Sequence, residues 1–287
     1  MDDRPIGVFD SGVGGLTVVR EVWRRLPNER ILYFGDTARV PYGGRPAQEI
    51  EEFARQIIRY LGMLGSKFLI VACNTTSALA LDKVGREFEL PHVGVLRPGA
   101  RAAARATRTG KIGVIATEGT ARSGAYDQAI RELLPGAEVL AQGCPLLVPL
   151  VEAGRAHSPE AVDALRGYLT PLIERGIDTL VLGCTHYPYM DEEIRRIVGP
   201  DVAIVDPAGE TVEVASALLN DLGLASPART GPDEFMLSGD AEGFARVAEK
   251  LIKSRLPRVT KVNLVESLAS RHGDPARRRS AVPDSCC

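Results

Sequence analysis

Phe68-Leu-Ile-Val-Ala-Cys73-Asn-Thr and, further along, Thr179-Leu-Val-Leu-Gly-Cys184-Thr-His decide how this chain is read. Each is an apolar run with no polar alternation, ending in a cysteine and a cluster of polar side chains. Such runs fit strands buried on both faces, as in a parallel sheet covered by helices. Working outward, short runs rich in Ile, Val and Leu recur at Ile6–Phe9, Ile31–Phe34, Val93–Leu96, Ile112–Ala116, Glu138–Ala141 and Val202–Val205. Segments of helical period separate most of them. In Ala47–Leu64, for example, Ile50, Phe53, Ala54, Ile57 and Leu61 fall on one face. Strand–helix alternation predicts an α/β fold of mostly parallel sheets flanked by helices.

The two cysteine strands each follow a similar partner. Ile6-Gly7-Val8 precedes the first and Ile112-Gly113-Val114 the second, at closely matched separation. This pattern predicts two similar, pseudo-twofold-related α/β domains with a cleft between them. The expected division is residues 1–97 plus 208–265 for one domain and 98–207 for the other, with the boundary near Arg97–Pro98. A helix near Thr211–Leu222, a strand near Phe235–Leu237, a helix near Ala241–Ile252 and a strand near Val259–Leu264 continue the alternation. Residues 266–287 lack an apolar period, hold Arg277-Arg278-Arg279 and read as a disordered tail.

Composition narrows the function. The 287 residues carry 35 Lys and Arg against 37 Asp and Glu, so no strong positive field favours nucleic acid. No stretch reaches the ~18 consecutive apolar residues of a membrane span. The acidic start MDDRPIGVFD has no signal-peptide pattern. Five cysteines, an odd number without a CxxC pair, are no disulfide framework and suggest a reducing cytoplasm.

Ligands of open parallel sheets bind at the carboxyl ends of strands, and three segments put unusual residues there. Asp10-Ser11-Gly12-Val13-Gly14-Gly15-Leu16 offers backbone amides suited to an anion. With Asp36 after the next strand it keeps a dinucleotide reading open, although Thr17 stands where that fingerprint wants a small residue. The glycines would equally serve close helix–strand packing. Cys73-Asn74-Thr75-Thr76-Ser77 puts a thiol among hydroxyl and amide groups, unlike an inert core cysteine. Cys184-Thr185-His186-Tyr187-Pro188 pairs a thiol with an imidazole. That pair alone would fit a nucleophile and base, half a zinc site, or an acid–base couple. Four histidines and no second cluster argue against zinc, and a one-cysteine hydrolase leaves Cys73 unused. Two thiols at matching strand ends, facing each other across a pseudo-dyad, would meet opposite faces of one carbon. One thiolate would remove a proton and one thiol return it, inverting the centre. Lys67 starts its strand at the end away from the thiols, a poor place for a Schiff-base lysine.

These signatures, with Pro41-Tyr42-Gly43, resemble the glutamate racemase family of the aspartate/glutamate racemase superfamily over about Pro5 to Leu264. The resemblance implies interconversion of L- and D-glutamate without cofactor or metal, supplying D-glutamate for bacterial peptidoglycan, in two α/β domains. It implies Cys73 and Cys184 as acid/base thiols, Asp10 beside Cys73, His186 beside Cys184, and Glu152 as an acidic group near the second thiol. Asp10, Ser11, Tyr42, Gly43, Asn74, Thr75, Thr185 and His186 match substrate-binding positions, and a homodimer is often formed. Thr76 departs from the usual alanine, and Arg97 from the usual non-basic residue. Aspartate or hydantoin racemisation, or a non-catalytic amino-acid sensor with the same cleft, are the alternatives.

Overall fold

The computed structural model describes residues 2–252, 256 and 258–270. Strands β1 (Ile6–Asp10), β2 (Ile31–Gly35), β3 (Phe68–Val71) and β4 (His92–Gly94) open the chain. They are followed by β5 (Lys111–Ala116), β6 (Glu138–Gly143), β7 (Thr179–Gly183), β8 (Ala203–Val205), β9 (Glu234–Leu237) and β10 (Arg258–Lys261). They form two sheets, ordered β10-β9-β2-β1-β3-β4 and β6-β5-β7-β8, in which every pairing is parallel.

The repeat seen in the sequence is present in three dimensions. The order β2-β1-β3-β4 is matched by β6-β5-β7-β8, and the register agrees: Ile6 stands opposite Phe68, and Ile112 opposite Thr179. Cys73 and Cys184 therefore leave equivalent strands at equivalent edges. β1, β2, β3 and β7 are buried along their whole length, which explains their lack of alternation.

Helices cover both sheets because their apolar stripes need a partner. Ala47–Met63 buries Ile50, Ala54, Ile57, Ile58 and Leu61. Phe53 is only half buried there and is covered by the Arg39 guanidinium, 4.0 Å from its ring centre. The helix is closed by Gly65 at φ +84°, a conformation that costs side-chain-bearing residues energy. One apolar cluster runs from Ile6, Val8 and Ile70 of the first sheet, through Val212 and Ala215 of the helix Pro207–Asp221, to Leu180 and Leu182 of the second. The two halves thus share a core as well as a cleft.

Three expected boundaries shift. The strand expected over Val93–Leu96 ends at Gly94, and Leu96 begins the helix Leu96–Ala106. Arg97 and Pro98 therefore sit in a helical first turn, where proline is tolerated because its N–H would have no partner there, and not in an extended linker. Exposed Arg97 reaches Glu132 at 3.2 Å and Asp82 at 3.7 Å, one from each half. The strand expected to run to Leu264 stops at Lys261, and Leu264–Ser270 is helical, with Asn263 Oδ1 accepting the Glu266 N–H. Residues 266–270 thus belong to a helix and not to a tail; residues 271–287 of the expected tail lie outside the described residues. Among the described residues no helix is long and apolar enough to cross a membrane, and no three His, Cys, Asp or Glu side chains gather as a metal site.

Candidate active site

β3 ends at Val71, and two residues later Cys73 caps the short helix Asn74–Leu79, its Sγ accepting the Thr76 N–H at 3.5 Å. The helix turns the next side chains toward the second half. Asn74 Oδ1 accepts from the Tyr126 hydroxyl at 2.7 Å, and Thr75 Oγ1 lies 2.9 Å from Thr117 Oγ1. On the other side Cys184 follows β7 directly, its Sγ 3.6 Å from His186 Nδ1. His186 Nε2 then meets Glu152 Oε1 at 2.6 Å.

Both thiols line one cavity of about 180 Å³ between the two sheets, the space of roughly six liquid waters. Ser11, Tyr42, Gly43, Asn74, Thr75, Thr185 and His186 line it too. Asp10 and Glu152 do not. They stand behind it, Asp10 under the glycine loop and Glu152 against His186. Asp10 Oδ2 accepts the amides of Gly12 and Gly15 at 3.1 and 3.0 Å, and Oδ1 accepts the Thr185 hydroxyl at 3.2 Å.

The glycine loop is thereby explained differently from the anion site expected of it. The Gly12 and Gly15 amides go to Asp10, and the Val13 amide goes to Glu152 at 3.0 Å. The anions it holds are the protein's own carboxylates. Glycine is required by close approach. A Cβ on Gly12 would stand 1.9 Å from Glu152 Oε1, and one on Gly14 2.3 Å from Thr185 Oγ1.

Asp36, the acid that kept the dinucleotide reading open, is fully buried and already engaged. It accepts from Ser238 Oγ at 2.7 Å and from the Tyr42 hydroxyl, and pairs with Arg39 at 2.7 Å. These bonds fold the loop that brings Tyr42 and Gly43 to the cavity. Lys67 is buried at the opposite end of its strand, 2.7 Å from Glu29 and 2.8 Å from Ser226 Oγ.

Electrostatics make the two thiols unlike. Burial pushes Cys73 up to about 12, the Asp10 charge adds to the rise, and Thr76 opposes it. Burial also raises Asp10, only partly offset by the His186 charge and the Gly12 and Gly15 amides. At His186 burial disfavours the imidazolium, but hydrogen bonds to Cys184 and Glu152 outweigh it and hold the pKa well above the ordinary value. Glu152 is the complement: burial would raise it, yet the bond and charge of His186 keep it low. Cys73 thus sits beside an anion, and Cys184 beside a cation backed by a carboxylate.

The cavity also holds Thr117, Glu118, Cys144, Pro145 and Val148, which reading the sequence did not single out. For Thr117 a signal existed. It follows β5, the counterpart of β1, so the repeat itself maps it onto the Asp10–Ser11 turn. Burial pushes the third thiol, Cys144, up to about 12. A larger cavity, about 500 Å³, opens near Leu81, Arg97 and Leu133, but it contains no thiol and none of the candidate catalytic groups.

The sequence profile of the Asp/Glu/hydantoin racemases matches residues 7–215, more than half of the chain and inclusive of both thiol segments. The chain belongs to this racemase family. Its members are isomerases, so the site is that of an enzyme. A relative, the glutamate racemase of Gloeothece citriformis, is 49% identical over 266 residues, covering 93% of this chain and 95% of its own. Among solved structures, glutamate racemase isoform RacE1 from Bacillus anthracis superposes with a TM-score of 0.87 at 38% identity, over 91% of this chain and 98% of that one. The Francisella tularensis glutamate racemase, in complex with D-glutamate, gives 0.86 at 35% identity, over 93% of this racemase and 100% of the other.

Proposed function

We propose that this racemase interconverts L- and D-glutamate by moving a proton at the α-carbon between Cys73 and Cys184, with no cofactor. The observation that carries the reading is that two thiols from equivalent strand ends of a repeated fold line one small cavity. The choice of glutamate rests on relatives so named at close to half identity.

The chemical difficulty is the weak acidity of an amino-acid α-proton. One cysteine, as thiolate, takes that proton from one face of the carbon. The electron pair left behind spreads into the α-carboxylate, where the Ser11 hydroxyl, the Asn74 side-chain amide and the main-chain amides of Thr75 and Thr185 stabilise it better than they stabilise the ground state. The second cysteine, as thiol, delivers its proton to the opposite face. The first cysteine finishes protonated and the second as thiolate, so each turnover exchanges their roles. His186, braced by Glu152, serves Cys184 as a proton source and counter-charge. Asp10 stands by Cys73 and, through Thr185, ties one half to the other. Two lobes, 1–97 with 208–265 and 98–207, would open about the Leu96–Pro98 region to admit the substrate and close to exclude water. The buried free thiols suit a cytoplasmic enzyme that supplies D-glutamate for peptidoglycan.

The test is circular dichroism of L-glutamate incubated with pure protein and no added cofactor. The signal should decay to zero, and in deuterium oxide the label should enter mainly the inverted product. Decay with aspartate or a hydantoin but not glutamate would move the assignment within the family. Binding with an unchanged signal would make the protein a sensor.

A further inference from the structure

Thr76 is fully buried, and its Oγ1 is one of four buried side-chain polar atoms among the described residues that make no hydrogen bond. An unpaired buried hydroxyl is unfavourable, because water was given up and nothing replaced it. Its surroundings say what it is aimed at. The same residue donates its main-chain N–H to Cys73 Sγ at 3.5 Å, and its carbonyl is taken by the Ala80 amide within the short helix. Thr76 is therefore held by its backbone in the turn that Cys73 caps, and its hydroxyl is near enough to act on the sulfur. The neighbouring hydroxyls are occupied elsewhere: Thr75 with Thr117, and Ser77 with the Val71 carbonyl. The hydroxyl and the amide of Thr76 both act to lower the pKa of Cys73, against burial and the Asp10 charge that raise it.

We propose that Thr76 is a positioning residue for the first thiol, its unpaired hydroxyl being the donor that the Cys73 thiolate takes up when it forms. A neutral thiol is a weak acceptor and leaves the hydroxyl idle. A thiolate is a strong one and forms a charge-assisted bond. The base form of Cys73 is thus favoured selectively, in a place where an adjacent carboxylate and a dry environment otherwise oppose it. The proposal rests on the two-thiol reading above, and its test separates the two.

The experiment follows alkylation of Cys73 by iodoacetamide against pH, read by mass spectrometry of its peptide, in the wild type, Thr76→Val, Thr76→Ala and Thr76→Ser. Below the thiol's midpoint the rate tracks the thiolate fraction. Loss of one donor to an anion should slow it about tenfold at each pH, a midpoint about one unit higher. Val and Ala should both show this, and Ser should stay within about twofold of wild type. The kcat for L-glutamate should fall in parallel and recover in Ser. Equal alkylation profiles in wild type and Ala overturn the proposal, as does a Ser variant that behaves like Val. If Val fails to fold, the Ala and Ser pair decides alone. If the wild type does not racemise glutamate, the function reading fails, while the alkylation profiles still judge Thr76.

Discussion

Glu152→Gln isolates the brace behind the second thiol. The substitution keeps the side chain's shape and an oxygen able to accept both the Val13 amide at 3.0 Å and His186 Nε2 at 2.6 Å. What it removes is charge. The delocalised charges of imidazolium and carboxylate, centred about 4 Å apart, attract by about 4 kcal/mol at an effective dielectric of 20, which sets a ceiling. A charge-assisted bond exceeds a neutral one by about 1.5 kcal/mol, which sets a floor. His186 is nearly fully buried and the Glu152 side chain is 20% exposed, so solvent screening removes little of this. The His186 pKa, now held well above its ordinary value, should fall by at least about one unit. The sign follows. With a lower pKa the imidazolium is lost at lower pH, so the basic limb of kcat/KM should move to lower pH by about the same amount. Because L- and D-glutamate are equally stable, kcat/KM must move identically in both directions. Below that limb kcat should fall between about tenfold and ~10³-fold, the range set by the floor and ceiling above. Chiral chromatography gives the rates and NMR of the ring protons gives the titration. An unmoved His186 titration, or wild-type kcat across the pH range, would refute the brace.

Cys73→Ser and Cys184→Ser should each abolish measurable racemisation, because a hydroxyl is too weak an acid to work as an oxyanion base near neutrality; full activity in either variant contradicts the two-thiol assignment. Gly14→Ala should lower kcat by about 100-fold by pushing His186 away from Cys184, since its Cβ would stand 2.6 Å from His186 Nδ1; melting and kinetics together show whether the damage is local. Asp178 accepts the Arg108 and Thr109 amides and the Thr107, Thr109 and Thr179 hydroxyls, and these bonds hold its pKa low despite its burial. Its stabilisation is present above the ordinary carboxylate pKa and lost as pH falls through the depressed folded value. Asp178→Ala should therefore cost about 2–3 kcal/mol at pH 7, and progressively less in strong acid, measured by urea unfolding.

What the sequence by itself determined was the parts that depend on local pattern. Unbroken apolar runs such as Phe68–Val71 announce strands buried on both faces, and a thiol after each of two matching strands marks an equivalent strand end in each half. The strands stand where those runs place them, and both thiols line one cavity, because period and strand-end position are properties of a few consecutive residues. The strand ends at Gly94 and Lys261 were not legible, because the next residues, Leu96 and Leu264, are as apolar as a strand's and only packing makes them start helices. Tertiary structure alone decided who partners whom. The glycine loop reads as a ready anion site, yet its amides go to Asp10 and to Glu152, a residue 139 positions away from Val13. Asp36 reads as a ribose acid, yet it is closed off by Tyr42, Arg39 and Ser238. Residue type fixes what a group can bond to. Which of several competent partners it meets is settled by distance, and distance between remote residues exists only once the chain has folded.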